Sequence, residues 1–81
     1  MQKLKVLSGI DLIKIFLNFD FKKSYQKGSH IKLQRILTDG NKESLTFPLH
    51  NELDKGTIKA IYRQALRFIP EEELKPYFYY Q

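Results

Sequence analysis

The chain has 81 residues, no cysteine and a formal charge of +5. That length describes one small domain, and the missing thiols exclude disulfide staples, zinc–thiolate sites and cysteine catalysis. Stability must come from apolar packing, and the excess of lysine favours an anionic partner.

The first element is announced by Ser8, an N-cap residue, with Asp11 three positions on as a variant of the capping box. Leu7 and Leu12 are spaced as a hydrophobic staple. Leu12, Ile13, Phe16 and Leu17 recur at helical spacing, which predicts a helix over residues 9–18 and an apolar face made of those four. In the opening MQKLKVLSGIDLIKIF, Asp11, Lys14 and the lack of a small-residue cleavage site argue against a signal peptide. No apolar run is long enough to span a membrane. A cytoplasmic protein without membrane contact is expected.

FKKSYQKG follows, and reads as a short, polar strand near a sheet edge, where lysines discourage unwanted pairing. Simple alternation puts Phe21, Lys23 and Tyr25 on one face. Gly28 ends the strand as a turn. In SHIKLQRIL, Ile31, Leu33, Arg35 and Leu37 share one face, and His30, Lys32 and Gln34 the other. TDGNK is a hairpin turn. ESLTFPLH is the third strand, with Leu45, Phe47 and Leu49 inward and Thr46, Pro48 and His50 opposite. A second helix is capped by Asp54 or Thr57 and carries Ile58, Ile61, Tyr62, Ala65, Leu66 and Ile69 along one stripe. Pro70 and three glutamates open a short last helix, which Pro76 should limit. The fold class is therefore α+β, in the order α-β-β-β-α plus a short C-terminal helix. Helices should cover one face of a three-stranded antiparallel sheet, leaving the His30 face to solvent. A single domain over residues 1–81 is expected, with its core in residues 4–69 and an extension in 70–81.

Residues 26–30, QKGSH, concentrate the chemistry. Histidine moves protons near neutral pH. RNA carries its own nucleophile, the 2′-hydroxyl, beside the phosphate it attacks. The protein then has only to assist proton transfer and stabilise charge on the phosphoryl oxygens, which lysines and backbone N–H groups near a glycine can do. His30 is the candidate acid/base. Lys23, Lys27, Gly28, Ser29 and Lys32 are the candidate RNA contacts, and His50 is a candidate auxiliary. Two hairpin registers are open. A Thr38-Asp39-Gly40 loop puts His30 opposite Pro48, whereas an Asp39-Gly40-Asn41 loop puts it opposite His50. Two histidines without a nearby carboxylate make a poor metal site, and no metal or other cofactor is expected. An exposed histidine on a hairpin is by itself usually a surface residue. The acid-free basic run from Lys22 to Arg35 is what shifts the balance here.

The order Ser8-Gly9-Ile10-Asp11-Leu12, then QKGSH, then Asp39-Gly40, then PLHNELDKGTI resembles the HicA toxin family over residues 4–67. The resemblance implies a fold like that of double-stranded-RNA-binding domains. It implies a metal-independent endoribonuclease that cuts messenger RNA and stops translation, with the histidine of the G-S-H motif, here His30, as catalyst. It also implies a HicB antitoxin partner that masks the active site. The chain departs from the family in three places. Ile31 follows the motif where many relatives have a second histidine or another polar residue. Asn18-Phe19-Asp20 replaces a loop that often contains glycine. The tail from Pro70 has no matching motif. A non-catalytic RNA-binding module on the same fold is the alternative, and a protein-docking domain for an acidic partner is a third reading.

Overall fold

A computed structural model describes residues 2–80. The described residues form α1 (Gly9–Leu17), β1 (Lys22–Lys27), β2 (His30–Ile36), β3 (Lys42–Pro48), α2 (Lys55–Ala65) and α3 (Glu71–Phe78). The strands make one antiparallel sheet in the order β1-β2-β3. The expected α+β architecture is what forms. Ile31, Leu33, Leu45 and Phe47 are buried on one sheet face, and side chains from all three helices join them in a single apolar cluster. Phe16 lies at its centre, with the rings of Phe21, Phe47 and Phe78 at 6.0, 6.1 and 6.1 Å. No helix of the described residues is long and apolar enough to cross a membrane.

The capping box forms in full. Ser8 Oγ accepts from the Asp11 N–H at 3.0 Å, and Asp11 Oδ2 accepts from the Ser8 N–H at 2.9 Å. That second bond is the main reason the Asp11 carboxyl is held below its ordinary range. The buried face of α1 differs from the one expected. Ile15 is buried with Leu12 and Phe16, while Leu17 is 53% exposed. A helix turns about 100° per residue, so Ile15 and Phe16 flank Leu12 on either side of one face, and Leu17 is carried round to the rim.

Gly9 opens α1 against the segment after β3. A Cβ there would stand 2.6 Å from Leu49 Cα and 2.8 Å from the Pro48 carbonyl oxygen. Both are backbone atoms, so neither can swing away. The Gly9 N–H also donates to the His50 carbonyl at 3.0 Å. Gly9→Ala should therefore destabilise the protein by about 1–3 kcal/mol through overpacking, in spite of alanine's better helix propensity. A thermal melt that rises for this variant would contradict the close approach.

At its other end α1 closes with Asp20 in the left-handed region, at φ 68°. The Phe21 N–H returns to the Phe16 carbonyl at 3.1 Å and the Asp20 N–H to Leu17 at 3.3 Å, the bonding pattern of a Schellman motif. Asp20 occupies the position that favours glycine. Asp20→Gly is expected to stabilise the fold by about 0.5–1 kcal/mol by relieving the left-handed strain. An unchanged or lower urea midpoint would mean that the aspartate side chain compensates for its backbone.

The first strand does not alternate simply. Lys22 and Lys23 pair with Gln34 and Leu33, but Tyr25, Gln26 and Lys27 pair with Lys32, Ile31 and His30, so the register shifts at Ser24. Ser24 is the extra residue of a β-bulge, and its hydroxyl donates to the Lys32 carbonyl at 3.3 Å. The bulge breaks the expected grouping of Phe21, Lys23 and Tyr25. Phe21 enters the core with no exposure, Lys23 stays on the Leu33 side, and Tyr25 turns out to the Lys32 side.

The β2–β3 register is the one with a Thr38-Asp39-Gly40 loop, in which His30 faces Pro48. The outer edge of β3 is met by α2. Gln64 Oε1 accepts from the Thr46 N–H at 2.9 Å, and Gln64 Nε2 donates to the Thr46 carbonyl at 3.3 Å. Asp54, not Thr57, caps α2, accepting from the Thr57 N–H at 2.7 Å.

Pro76 does not end the last helix, which runs on to Phe78. Leu74 and Phe78, one turn apart on either side of it, have no exposure, and their burial carries the helix through the missing N–H. The chain then packs back on its own start. Leu4 bridges Tyr79, and the Tyr80 N–H donates to the Lys3 carbonyl at 2.8 Å.

Candidate functional site

The site is built on the β1–β2 hairpin. Lys27 pairs with His30, so Gly28 and Ser29 alone form the turn. Gly28 has φ 58° and Ser29 has no positive φ, which is the pattern of a type II′ turn. A Cβ on Gly28 would meet nothing within 4 Å. The need for glycine here is conformational, independent of any ligand. The turn is held from within by Gln26 Nε2, which donates to the Gly28 carbonyl at 3.1 Å. From outside it is held by the Leu49 N–H, which donates to the Ser29 carbonyl. His30 thus begins β2 next to a braced turn.

Register places six side chains on the open face in two rows. One row is Tyr25, Lys32 and Thr46; the other is Lys27, His30 and Pro48. Residues directly opposite in such a ladder have Cβ atoms about 5 Å apart, and those two apart along a strand share a face. His30 therefore has Lys27 across from it, Lys32 beside it and Tyr25 on the diagonal. Tyr25, Lys27, His30, Lys32 and Thr46 line one shallow depression of about 300 Å³. His30, Lys27, Tyr25 and Thr46 are exposed, and Lys32 is half-buried. Among the described residues the one ion pair is Arg35–Glu43, so neither lysine is neutralised by a carboxylate. The arrangement offers two ammonium groups to an anion and an imidazole between them, open to solvent.

Of the residues expected in the site, His30, Lys27 and Lys32 are brought together, with Gly28 and Ser29 in the adjoining turn. Two are not. Lys23 lies beyond the bulge opposite Leu33, on the other side of β1, and its Nζ is 3.4 Å from Gln26 Oε1. His50 lies past the end of β3 and outside the depression. Its expected place on the strand is lost because the chain leaves the ladder after Pro48, where Leu49 bonds back to the hairpin turn and the His50 carbonyl is taken by Gly9.

Tyr25 and Thr46 were not expected among the site residues. Thr46 was legible as the outward neighbour of Lys32 once the register was chosen. Tyr25 was legible by counting back from the two-residue turn instead of forward from Phe21.

A family profile described as the HicA toxin of bacterial toxin–antitoxin systems matches residues 9–66, most of the chain. The match runs from the start of α1 to the C-cap of α2 and contains the hairpin with its Gly-Ser-His turn. No significant match was found among curated proteins or among solved structures.

Proposed function

The chain belongs to the HicA toxin family, the toxin side of bacterial toxin–antitoxin pairs, and on that premise we propose that it is an endoribonuclease that cuts messenger RNA with His30 as its acid/base. The observation that carries this reading is the exposed imidazole between Lys27 and Lys32 on one sheet face. Phosphodiester cleavage by the neighbouring 2′-hydroxyl needs a proton taken from the nucleophile as its bond to phosphorus forms and a proton given to the 5′-oxygen as that bond breaks, and one imidazole can take the first and return it to the second. It also needs compensation of charge on the phosphoryl oxygens. An imidazole beside two ammonium groups meets both needs without a metal ion. The 2′-hydroxyl is internal to the substrate, so proximity is supplied by the RNA itself. The exposed backbone of Gly28 and Ser29 adds N–H groups beside the phosphate position.

The same face is the surface we assign to a HicB-like antitoxin. A partner that lays carboxylates over Lys27, Lys32 and His30 would replace the RNA phosphates and block cleavage by occupancy.

The test is induced expression of the wild-type chain beside His30→Ala at equal protein levels, with growth and transcript integrity followed together. Arrest with cut transcripts for the wild type alone is the expected result. Equal arrest without cutting would leave an RNA-binding module in place of a nuclease.

A further inference from the structure

We propose that Tyr25 is the base-stacking platform of this site, and that the site takes single-stranded RNA by stacking one nucleobase on that ring. This rests on the RNA-cleavage reading and adds to it the strandedness of the substrate and the residue that selects it.

Tyr25 is 59% exposed in a strand whose other five residues are Lys22, Lys23, Ser24, Gln26 and Lys27. The other tyrosines have partners for their rings. Tyr77 packs edge-on against Phe19, Tyr62 packs against Phe78 and Tyr79, and Tyr80 lies under the Lys5 ammonium. Among the described residues Tyr25 has neither an aromatic nor a cationic partner for its ring, and its hydroxyl makes no hydrogen bond. The fold does not use it, and an exposed edge strand gains nothing in solubility from a large aromatic ring.

Its position is specific. The bulge at Ser24 lets Phe21 face the core while Tyr25 faces outward, opposite Lys32 and diagonal to His30. With regular alternation through Ser24, and no bulge, the two aromatics would fall on the same face of the strand. Bulges that re-aim a side chain are enriched beside active sites. The ring then shares a depression with Lys27, His30, Lys32 and Thr46.

An aromatic face next to cations is the arrangement that grips single-stranded nucleic acid. The cations follow the backbone, and the ring takes a base with little regard to its identity. A phosphate between Lys27 and Lys32 leaves the base of an adjoining nucleotide within reach of Tyr25. In a duplex the bases are already stacked on one another and paired, so none is free to lie on the ring. Contacts to a duplex would come from the lysines alone.

The experiment measures binding of a fluorescein-labelled single-stranded oligoribonucleotide and of its perfect duplex, using full-length His30→Ala protein so that the RNA stays intact. The added variants are Tyr25→Phe and Tyr25→Ala. Tyr25→Ala should weaken single-strand binding by about 10- to 100-fold and leave duplex binding within about 2-fold. Tyr25→Phe should retain single-strand affinity. Melting curves should be alike, because the ring is outside the core. Unchanged single-strand affinity in Tyr25→Ala overturns the proposal. So does an equal loss for strand and duplex, a loss in Tyr25→Phe as large as in Tyr25→Ala, or no RNA binding by the His30→Ala parent. Cleavage by protein with His30 intact is scored separately. Tyr25-dependent binding with no cleavage would sink the nuclease reading and keep the stacking site. His30-dependent cleavage indifferent to Tyr25 would do the reverse.

Discussion

Purified His30→Ala protein should cleave RNA about 10²- to 10⁴-fold more slowly than the wild type, the range for loss of a positioned acid or base. It should unfold within about 0.5 kcal/mol of the wild type, because His30 is exposed and lies outside the core cluster. The pairing of a large kinetic effect with a negligible stability effect is what separates a catalyst from a structural histidine. RNA affinity should survive in the same protein, since Lys27 and Lys32 remain in place. Their replacement by glutamine should weaken binding and flatten its dependence on salt, as each lost phosphate contact removes about one released counterion. Single-turnover cleavage beside a urea melt decides the matter. Cleavage by His30→Ala at near wild-type rate would remove the imidazole from the mechanism.

The largest stability effect is expected at Arg35. Its guanidinium lies on the core side of β2 and is about one-fifth exposed. Nε donates to Glu43 Oε1 at 2.8 Å, Nη1 to the Phe19 carbonyl at 3.1 Å and Nη2 to the Phe68 carbonyl at 3.0 Å. Its carbon also sits 4.8 Å from the centre of the Phe21 ring. One side chain thus joins the α1–β1 loop, β3 and the α2–α3 loop at the end of the sheet far from His30. Arg35→Ala would strand two carbonyls and a half-buried carboxylate together. A buried pair broken on one side costs about 3–5 kcal/mol, and partial exposure lowers that to about 2–4 kcal/mol here. In a domain whose total stability is of order 5–15 kcal/mol this is a large share. Arg35→Lys should recover only part of it, because an ammonium cannot fill three directions of a planar fork. A double-mutant cycle with Glu43→Ala isolates the ion pair from the carbonyl bonds. A loss below about 0.5 kcal/mol for Arg35→Ala would show that the loops hold their places without it.

The order of the elements, the capping of α1 by Ser8 and Asp11, the edge position of β1 and the face of β2 that carries His30 and Lys32 are all legible in the amino-acid pattern. These follow from local rules. Cap chemistry needs residues three apart, and alternation within one strand needs no partner. The two β2–β3 registers were both compatible with the pattern, and Thr38-Asp39-Gly40 as the loop was already one of them. What depends on residues distant in sequence became visible only in the packed chain. Phe21 had to reach the core beside Phe16 while the Gly28-Ser29 turn pinned the other end of β1, and the two demands differ by one residue of parity. Ser24 absorbs the difference as a bulge, which sends Tyr25 to the His30 face and Lys23 away from it. His50 was drawn off β3 by bonds from the hairpin turn and α1. Leu74 and Phe78 kept α3 helical across Pro76, because two fully buried side chains outweigh one missing hydrogen bond. In each case contacts between residues remote in sequence, burial for Phe21, Leu74 and Phe78 and backbone hydrogen bonds for His50, overrode a local preference, and only the packed chain contains them.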